Sequence, residues 1–260
     1  MKFLVILGLL AYLTLQATQP ISPRTPIQPF EGDCLSHFET WLKATGTADP
    51  THAFSVKDGI LHIQGGDHRG YLSTKQHYRD YQLSLEYKWG DQTDGGKYVR
   101  NSGIMLHGNG LHGASKGVWM TSLEVQLAQG CEGDLIVIRG KGGPKVDITS
   151  KTRIAEDQRT RWDPNGQPTR YNGRQMWWKN HQPFFKELLD TRGKHDVASP
   201  KGQWSKIKIL CDGNIVTVFV NGHKVNEAYD FFPQSGRICL QNEGHEVYFR
   251  NLCIAPLPSK

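Results

Sequence analysis

Large hydrogen-bonding side chains recur at alternate positions of several short apolar runs. Glu86 and Lys88 alternate with Leu85, Tyr87 and Trp89, and Glu124 and Gln126 alternate with Leu123 and Val125. Asn101 and His107 bracket a Gly103-Ile104-Met105-Leu106 run, Arg139 closes Leu135–Ile138, and Gln241 and Glu243 follow Leu240. A period of two puts such residues on one face of a strand. The solvated face of a sheet is ordinarily Thr, Ser and scattered Lys; planar carboxylates, amides and guanidinium groups match pairs of sugar hydroxyls. If these strands are neighbours in a curved sheet, the groups line one concave groove. Trp119, just before the Glu124 run, is then placed to stack on a pyranose face.

Cleavage of a glycosidic bond asks for two carboxylates flanking it, one protonated and one ionised. Glu124 and Glu86 are the first candidates, with Glu243 a third. His107 can act as a base or serve only as a turn residue. An exposed strand carboxylate is by default solvated, so the argument for Glu124 rests on its companions. The chain holds no nucleophile elbow, Gly-rich phosphate loop or metal triad. Its cysteines (Cys34, Cys131, Cys211, Cys239, Cys253) lack the CxxC spacing of zinc sites, and three lie in apolar strand-like runs. Neither metal nor cofactor is expected.

The elements that must position these residues are strands. Asp58-Gly59 separates Phe54-Ser55-Val56 from Ile60–Ile63, and Asn221-Gly222 follows Ile215–Val220; both dipeptides mark hairpins. Tyr81–Trp89, Asn101–His107, Ser122–Leu127, Leu135–Arg139, Trp204–Cys211, Arg237–Gln241 and Val247–Ile254 read as further strands, and no long helix appears. With 28 Gly and 13 Pro in 260 residues, many short strands joined by turns are expected. The fold class is all-β, a two-sheet antiparallel sandwich. Residues 141–202 show neither alternation nor a helical stripe and read as a long loop insertion, a lid or binding loop presenting Trp162, Trp177 or Trp178 to a sugar.

Residues 1–17 carry the marks of a signal peptide: Lys2, then an apolar run from Phe3 to Leu15, then Ala17. Residues 18–33, rich in Pro and Thr, read as a tether, and residues 34–258 as one domain. The expectation is a secreted or periplasmic protein, with no membrane insertion after signal removal. The net charge of +6 is mild. Basic residues and tryptophans interleave between Arg139 and Lys194, but export argues against nucleic acid as a partner and for carbohydrate.

Gln203-Trp204-Ser205-Lys206-Ile207 with Val218-Phe219-Val220-Asn221-Gly222 resembles the strand pair of concanavalin A-like sandwiches. Gly236-Arg237-Ile238-Cys239-Leu240-Gln241-Asn242-Glu243-Gly244, Val247-Tyr248-Phe249-Arg250-Asn251-Leu252, Arg100-Asn101-Ser102-Gly103-Ile104 and Leu123-Glu124-Val125-Gln126 together resemble the 3-keto-disaccharide hydrolase domain family. The resemblance spans residues 35–257. It implies a concanavalin A-like jelly-roll and an enzyme acting on 3-keto-glycosides. A 3-ketone acidifies the hydrogen at C2, so a base can remove it and the aglycone can leave from C1 before water adds. Glu124 or His107 would be the base, and Arg100, Lys88 or Arg139 would hold the developing oxyanion. The family often carries an acidic residue after its E-x-Q strand, where this chain reads Leu127-Ala128-Gln129-Gly130. The alternative is a non-catalytic carbohydrate-binding module on the same fold. The density of ionisable groups favours the enzyme.

Overall fold

The computed structural model describes residues 19–30 and 33–259. The signal-peptide reading of residues 1–17 lies outside them. The described residues form strands and no helix. In chain order these are Phe38–Leu42 (β1), Phe54–Lys57 (β2), Ile60–Ile63 (β3), Gly70–Thr74 (β4), Tyr81–Trp89 (β5) and Gly103–Asn109 (β6). Thr121–Gln126 (β7), Leu135–Ile138 (β8), Asp147–Ile154 (β9), Thr160–Trp162 (β10), Gln167–Tyr171 (β11) and Gln175–Met176 (β12) follow. Ser205–Asp212 (β13), Ile215–Val220 (β14), His223–Phe232 (β15), Arg237–Asn242 (β16) and Val247–Ala255 (β17) complete the chain.

Two sheets result, as the alternation predicts. A 7-stranded sheet runs β1-β4-β16-β6-β7-β8-β12, and a 10-stranded sheet runs β10-β9-β15-β14-β13-β5-β17-β3-β2, with β11 on β9. The architecture is a concanavalin A-like jelly-roll. Inward positions build one core between the sheets: Leu83, Leu85 and Tyr87 of β5 meet Leu123 and Val125 of β7 and Ile238 and Leu240 of β16. Each such side chain removed from water contributes about 1.5–3 kcal/mol. The hairpin dipeptides do what their types dictate. Asp58 and Gly59 have φ of 52° and 69°, Asn221 and Gly222 of 47° and 84°; two successive positive φ values are the primed turn that matches strand twist.

Three local expectations change. The insertion is not a loop: β9 to β12 lie within it and extend both sheets. The stretch read as a tether is laid on the domain, at least over residues 19–30. Ile21 bridges to Tyr78, Ile27 exchanges two 2.9 Å backbone hydrogen bonds with Ile254, and Phe30 is buried against Phe38. Finally, β6 bulges. Its register slips against β7 between Leu106 and Asn109 and against β16 between Met105 and Gly108, and His107 takes a φ of 49°. An extra residue in one strand reverses which face the next side chain points to.

Candidate active site

The face of the 7-stranded sheet turned away from the core carries the chemistry. One row across it runs Glu39, Ser73, Cys239, Met105, Glu124 and Ile136. The adjacent row holds Trp41, Tyr71 and Gln241, with Gly103 opposite Gln126. Gly103 is required here. A Cβ on it would stand 2.4 Å from the Gln241 Oε1 and 2.5 Å from the Glu124 Oε1. The missing side chain therefore lets an amide and a carboxylate converge on one gap. Both amide atoms of Gln241 are buried, and apart from the neighbouring Glu124 carboxyl they have no hydrogen-bond partner, an arrangement that is costly unless something else completes it.

Glu124 is 5% exposed. Desolvation, reinforced by the nearby charge of Glu243 and partly offset by the Gln241 amide, pushes its pKa up to about 8. Glu243 is pushed up to about 7 by its own burial, against the pull of Arg69 and Lys116; an Arg69 nitrogen stands 4.0 Å from its carboxylate. Two carboxyl groups whose charges oppose each other release their protons in separate steps. Near neutral pH the pair holds one proton, and the cations beside Glu243 leave that proton on Glu124.

Glu243 opens onto a cleft of about 350 Å³, lined also by Gly66, Asp67, Arg69, Thr93, Asp94 and Lys97. A second cavity of about 770 Å³, lined by Lys43, Thr45, Thr51 and His68, shares Asp67 and Arg69 with it. The two border each other at these residues. Along the same sheet face, the Trp41 and His112 rings stack at 5.3 Å, and Tyr71 donates or accepts a 2.8 Å hydrogen bond at His112 Nδ1. Trp119 lies 6.4 Å from Tyr71. Glu39 sits 3.6 Å from His112 Nε2 and is hydrogen-bonded by Arg237.

Of the residues singled out from the sequence, Glu124, Gln241, Glu243 and Trp119 share this face. Asn101, just before β6, has a buried Oδ1 without a partner. Gln126 shares the face too, but its carbonyl oxygen accepts the Leu127 and Ala128 amides and shapes the turn after β7. Five others belong elsewhere. Glu86 and Lys88 project from β5 on the outside of the other sheet. Glu86 receives a 2.7 Å hydrogen bond from Arg250, and Lys88 lies 5.0 Å from the Trp204 ring and 5.2 Å from Tyr248. The bulge turns His107 into the core, stacked on Phe231 with centroids 4.7 Å apart; desolvation lowers its pKa to about 4 despite the Pro233 carbonyl at Nδ1. Arg100, 2% exposed, is bound by Asp190 at 2.7 Å and 3.3 Å. Arg139 is bound to Asp147 at 2.6 Å. None of these five is available to Glu124 as base, second carboxylate or oxyanion holder.

The insertion does not present its tryptophans to the cleft. Trp162 and Trp178 are buried at 4% and 2%, and the Trp177 ring is covered by Arg159. It buttresses the cleft wall from behind, through Asp190 on Arg100 and Lys201 on Asp91 at 2.6 Å. The residues that sequence reasoning missed are Asp67, Arg69, Asp94, Lys97 and Lys116. All lie in loops, where no periodicity assigns a direction; only the run of charges around Asp67-His68-Arg69 could have flagged them. The fold also gathers Cys131, Asp134 and His181, which no sequence spacing linked.

An antiparallel sandwich with a coupled carboxylate pair on the outside of one sheet, Glu243 of the pair opening onto a cleft, fits a carbohydrate-acting domain of the jelly-roll class. The chain belongs, more narrowly, to the family of the 3-keto-alpha-glucoside-1,2-lyase-like domain, which matches residues 25–255. Among solved structures, a candidate glycosyl hydrolase of Parabacteroides distasonis has a TM-score of 0.53 at 19% identity, covering 90% of this chain and 94% of that one. A second from the same organism has a TM-score of 0.44 at 20% identity, over 81% and 93% of the two chains. The β-glucanase of Bacillus licheniformis has 0.46 at 9% identity, over 88% and 96%. The first likeness shows the fold. A comparison with curated proteins found no match.

Proposed function

We propose that the chain is an exported enzyme that cleaves 3-keto-glycosides by acid/base chemistry at Glu124 and Glu243. The observation that carries the reading is the pair itself, two carboxyl groups raised to about 8 and about 7 on one sheet face beside the unspent amide of Gln241. In this scheme Glu243, ionised in the cleft, takes the hydrogen at C2. Glu124 holds its proton and delivers it to the departing glycosidic oxygen at C1. The C2 electron pair moves into the ketone as an enolate, for which Arg69 and Lys116 supply positive charge and the Gln241 amide a donor. The bond from C1 to oxygen breaks as the enolate collapses, and water adds afterwards. The 350 Å³ cleft takes the keto sugar and the adjoining 770 Å³ cavity the aglycone.

The stacked Trp41, His112 and Tyr71 rings favour a second reading, a binding module that holds a glycan without cutting it. One experiment separates the two. The purified protein is incubated with a panel of glycosides and their 3-keto derivatives in deuterated water. Turnover of the keto forms, with deuterium at C2 of the product, is expected. Cleavage without C2 deuterium would exclude the elimination route. Glycan binding without turnover would establish the module.

A further inference from the structure

Away from the cleft, the turn after β7 and the far end of the insertion meet in a buried cluster of metal-binding side chains. Ligand atoms of Cys131, Asp134 and His181 lie within 4.8 Å of one another, and all three residues are buried. The Cys131 Sγ is 3.9 Å from His181 Nδ1 and 3.8 Å from the Glu187 Oε1. Zinc bonds of about 2.3 Å to sulfur and 2.0–2.1 Å to nitrogen at the tetrahedral angle place those atoms about 3.6 Å apart. The Cys131–His181 and Cys131–Glu187 pairs stand within a few tenths of an ångström of that spacing.

Two independent features point to a cation. His181 is 1% exposed and its Nε2 is buried without a partner. Its Nδ1 faces the Gly130 carbonyl at 3.0 Å; with the proton on Nε2, Nδ1, the nitrogen 3.9 Å from the Cys131 Sγ, keeps its lone pair for a cation. Secondly, the buried Cys131 and Asp134 meet the half-buried Glu187, whose carboxylate also accepts the Tyr98 hydroxyl, and none of the three is in an ion pair with Lys or Arg among the described residues. Buried acidic groups need a counter-charge or must give up their own. Asp134 is also held as ligating carboxylates are held. Its two oxygens accept the Trp178 amide at 2.6 Å and the Gln175 amide at 2.7 Å, which fixes its orientation and leaves lone pairs over.

We propose that Cys131, Asp134, His181 and Glu187 bind a zinc ion that staples the insertion to the β7–β8 turn. With Glu187, 3.8 Å from the Cys131 Sγ, as fourth donor beside the buried three, the shell is all protein, the arrangement of structural rather than catalytic sites. It joins segments some fifty residues apart in sequence, where a cross-link removes much chain entropy. The proposal is independent of what the cleft does.

The test uses the full chain without a histidine tag, purified without chelator. Elemental analysis should find about one equivalent of zinc. Chelation should lower the unfolding midpoint by about 10 °C, as loss of a ligand near a thousandfold over its dissociation constant would, and added zinc should restore it. Cys131→Ser and His181→Asn should hold no zinc and ignore the chelator. Should these variants fail to fold, cobalt added to the stripped wild-type chain should give the thiolate charge-transfer band in the near ultraviolet. A wild-type chain that takes up no zinc from excess and gives no cobalt–thiolate band overturns the proposal. So does zinc retained undiminished by folded Cys131→Ser.

Discussion

A proton shared by two carboxylates is assigned by what else each of them touches. Glu243 has Arg69 and Lys116 beside it, whereas Glu124 meets apolar neighbours and an amide. If Glu124 is the acid, its loss should matter only when the leaving group needs a proton. Glu124→Gln should lower kcat/KM by about 100-fold or more for a 3-keto-glycoside of a simple alcohol. The same variant should stay close to wild type with a 4-nitrophenyl aglycone, which leaves unaided. Glu243→Gln should lose about 100-fold with both substrates, because the C2 hydrogen must be taken in either case. Equal losses for both variants on both substrates would refute the division of roles. The pH profile follows with the same signs. Glu243 must be ionised, so kcat/KM rises through about 7; Glu124 must be protonated, so it falls through about 8.

At the level of elements, the insertion braces the segment beside the cleft through two ion pairs, of which Asp190 on the buried Arg100 is the more sheltered. Arg100 is almost fully buried, and Asp190 is its carboxylate partner. Asp190→Ala leaves a buried guanidinium with only a 3.5 Å contact to the Gln92 carbonyl. The loss of stability should be about 3 kcal/mol, the lower end for a broken buried pair because Asp190 itself is half open to water. Chemical denaturation measures it, and a change below about 1 kcal/mol would show that the insertion does not hold the wall. This dependence was not legible in the sequence, and the reason is physical. Alternation in Tyr81–Trp89 and Thr121–Gln126 revealed both strands and both polar faces, but a period of two does not say which sheet a strand joins. Glu86 and Glu124 carry the same local signal and lie on opposite sides of the molecule. His107 was misdirected by a bulge, which is a property of three strands together. The insertion hid its strands because β11 is almost wholly exposed and β10 and β12 are two or three residues long. The closing motif around Gly236–Leu252 was readable because each of its residues keeps one role: inward apolar, outward polar, or turn.

For the whole molecule, these buried groups set how stability varies with pH, and their signs differ. Glu246 feels desolvation that would raise its pKa, but hydrogen bonds from the Gln92 and Asp91 amides, Tyr248 and His62 bring it to about 2. A lowered carboxylate stabilises the fold above its unfolded pKa, and that contribution disappears as pH falls towards 2. His107, lowered to about 4, likewise stabilises above about 6.5, and its contribution is lost between 6.5 and 4. Glu124 runs the other way. Its raised pKa means the folded state keeps a proton that the unfolded chain releases, so stability falls as pH rises from about 4.5 to about 8. Between 4.5 and 6.5 the histidine opposes the raised carboxyls; above 6.5 it drops out, while Glu243 still acts up to about 7 and Glu124 up to about 8. From pH 6.5 to pH 8 Glu124 alone should therefore cost about 2 kcal/mol, or about 4–8 °C of unfolding midpoint for a domain of this size. Glu124→Gln carries no such proton and should flatten that part of the curve, narrowing its gap to wild type or overtaking it as pH rises. Calorimetric scans of both proteins at pH 6.5, 7.2 and 8 read the difference. Parallel curves would mean that Glu124 is ionised in the fold at neutral pH, and the acid role would pass from it.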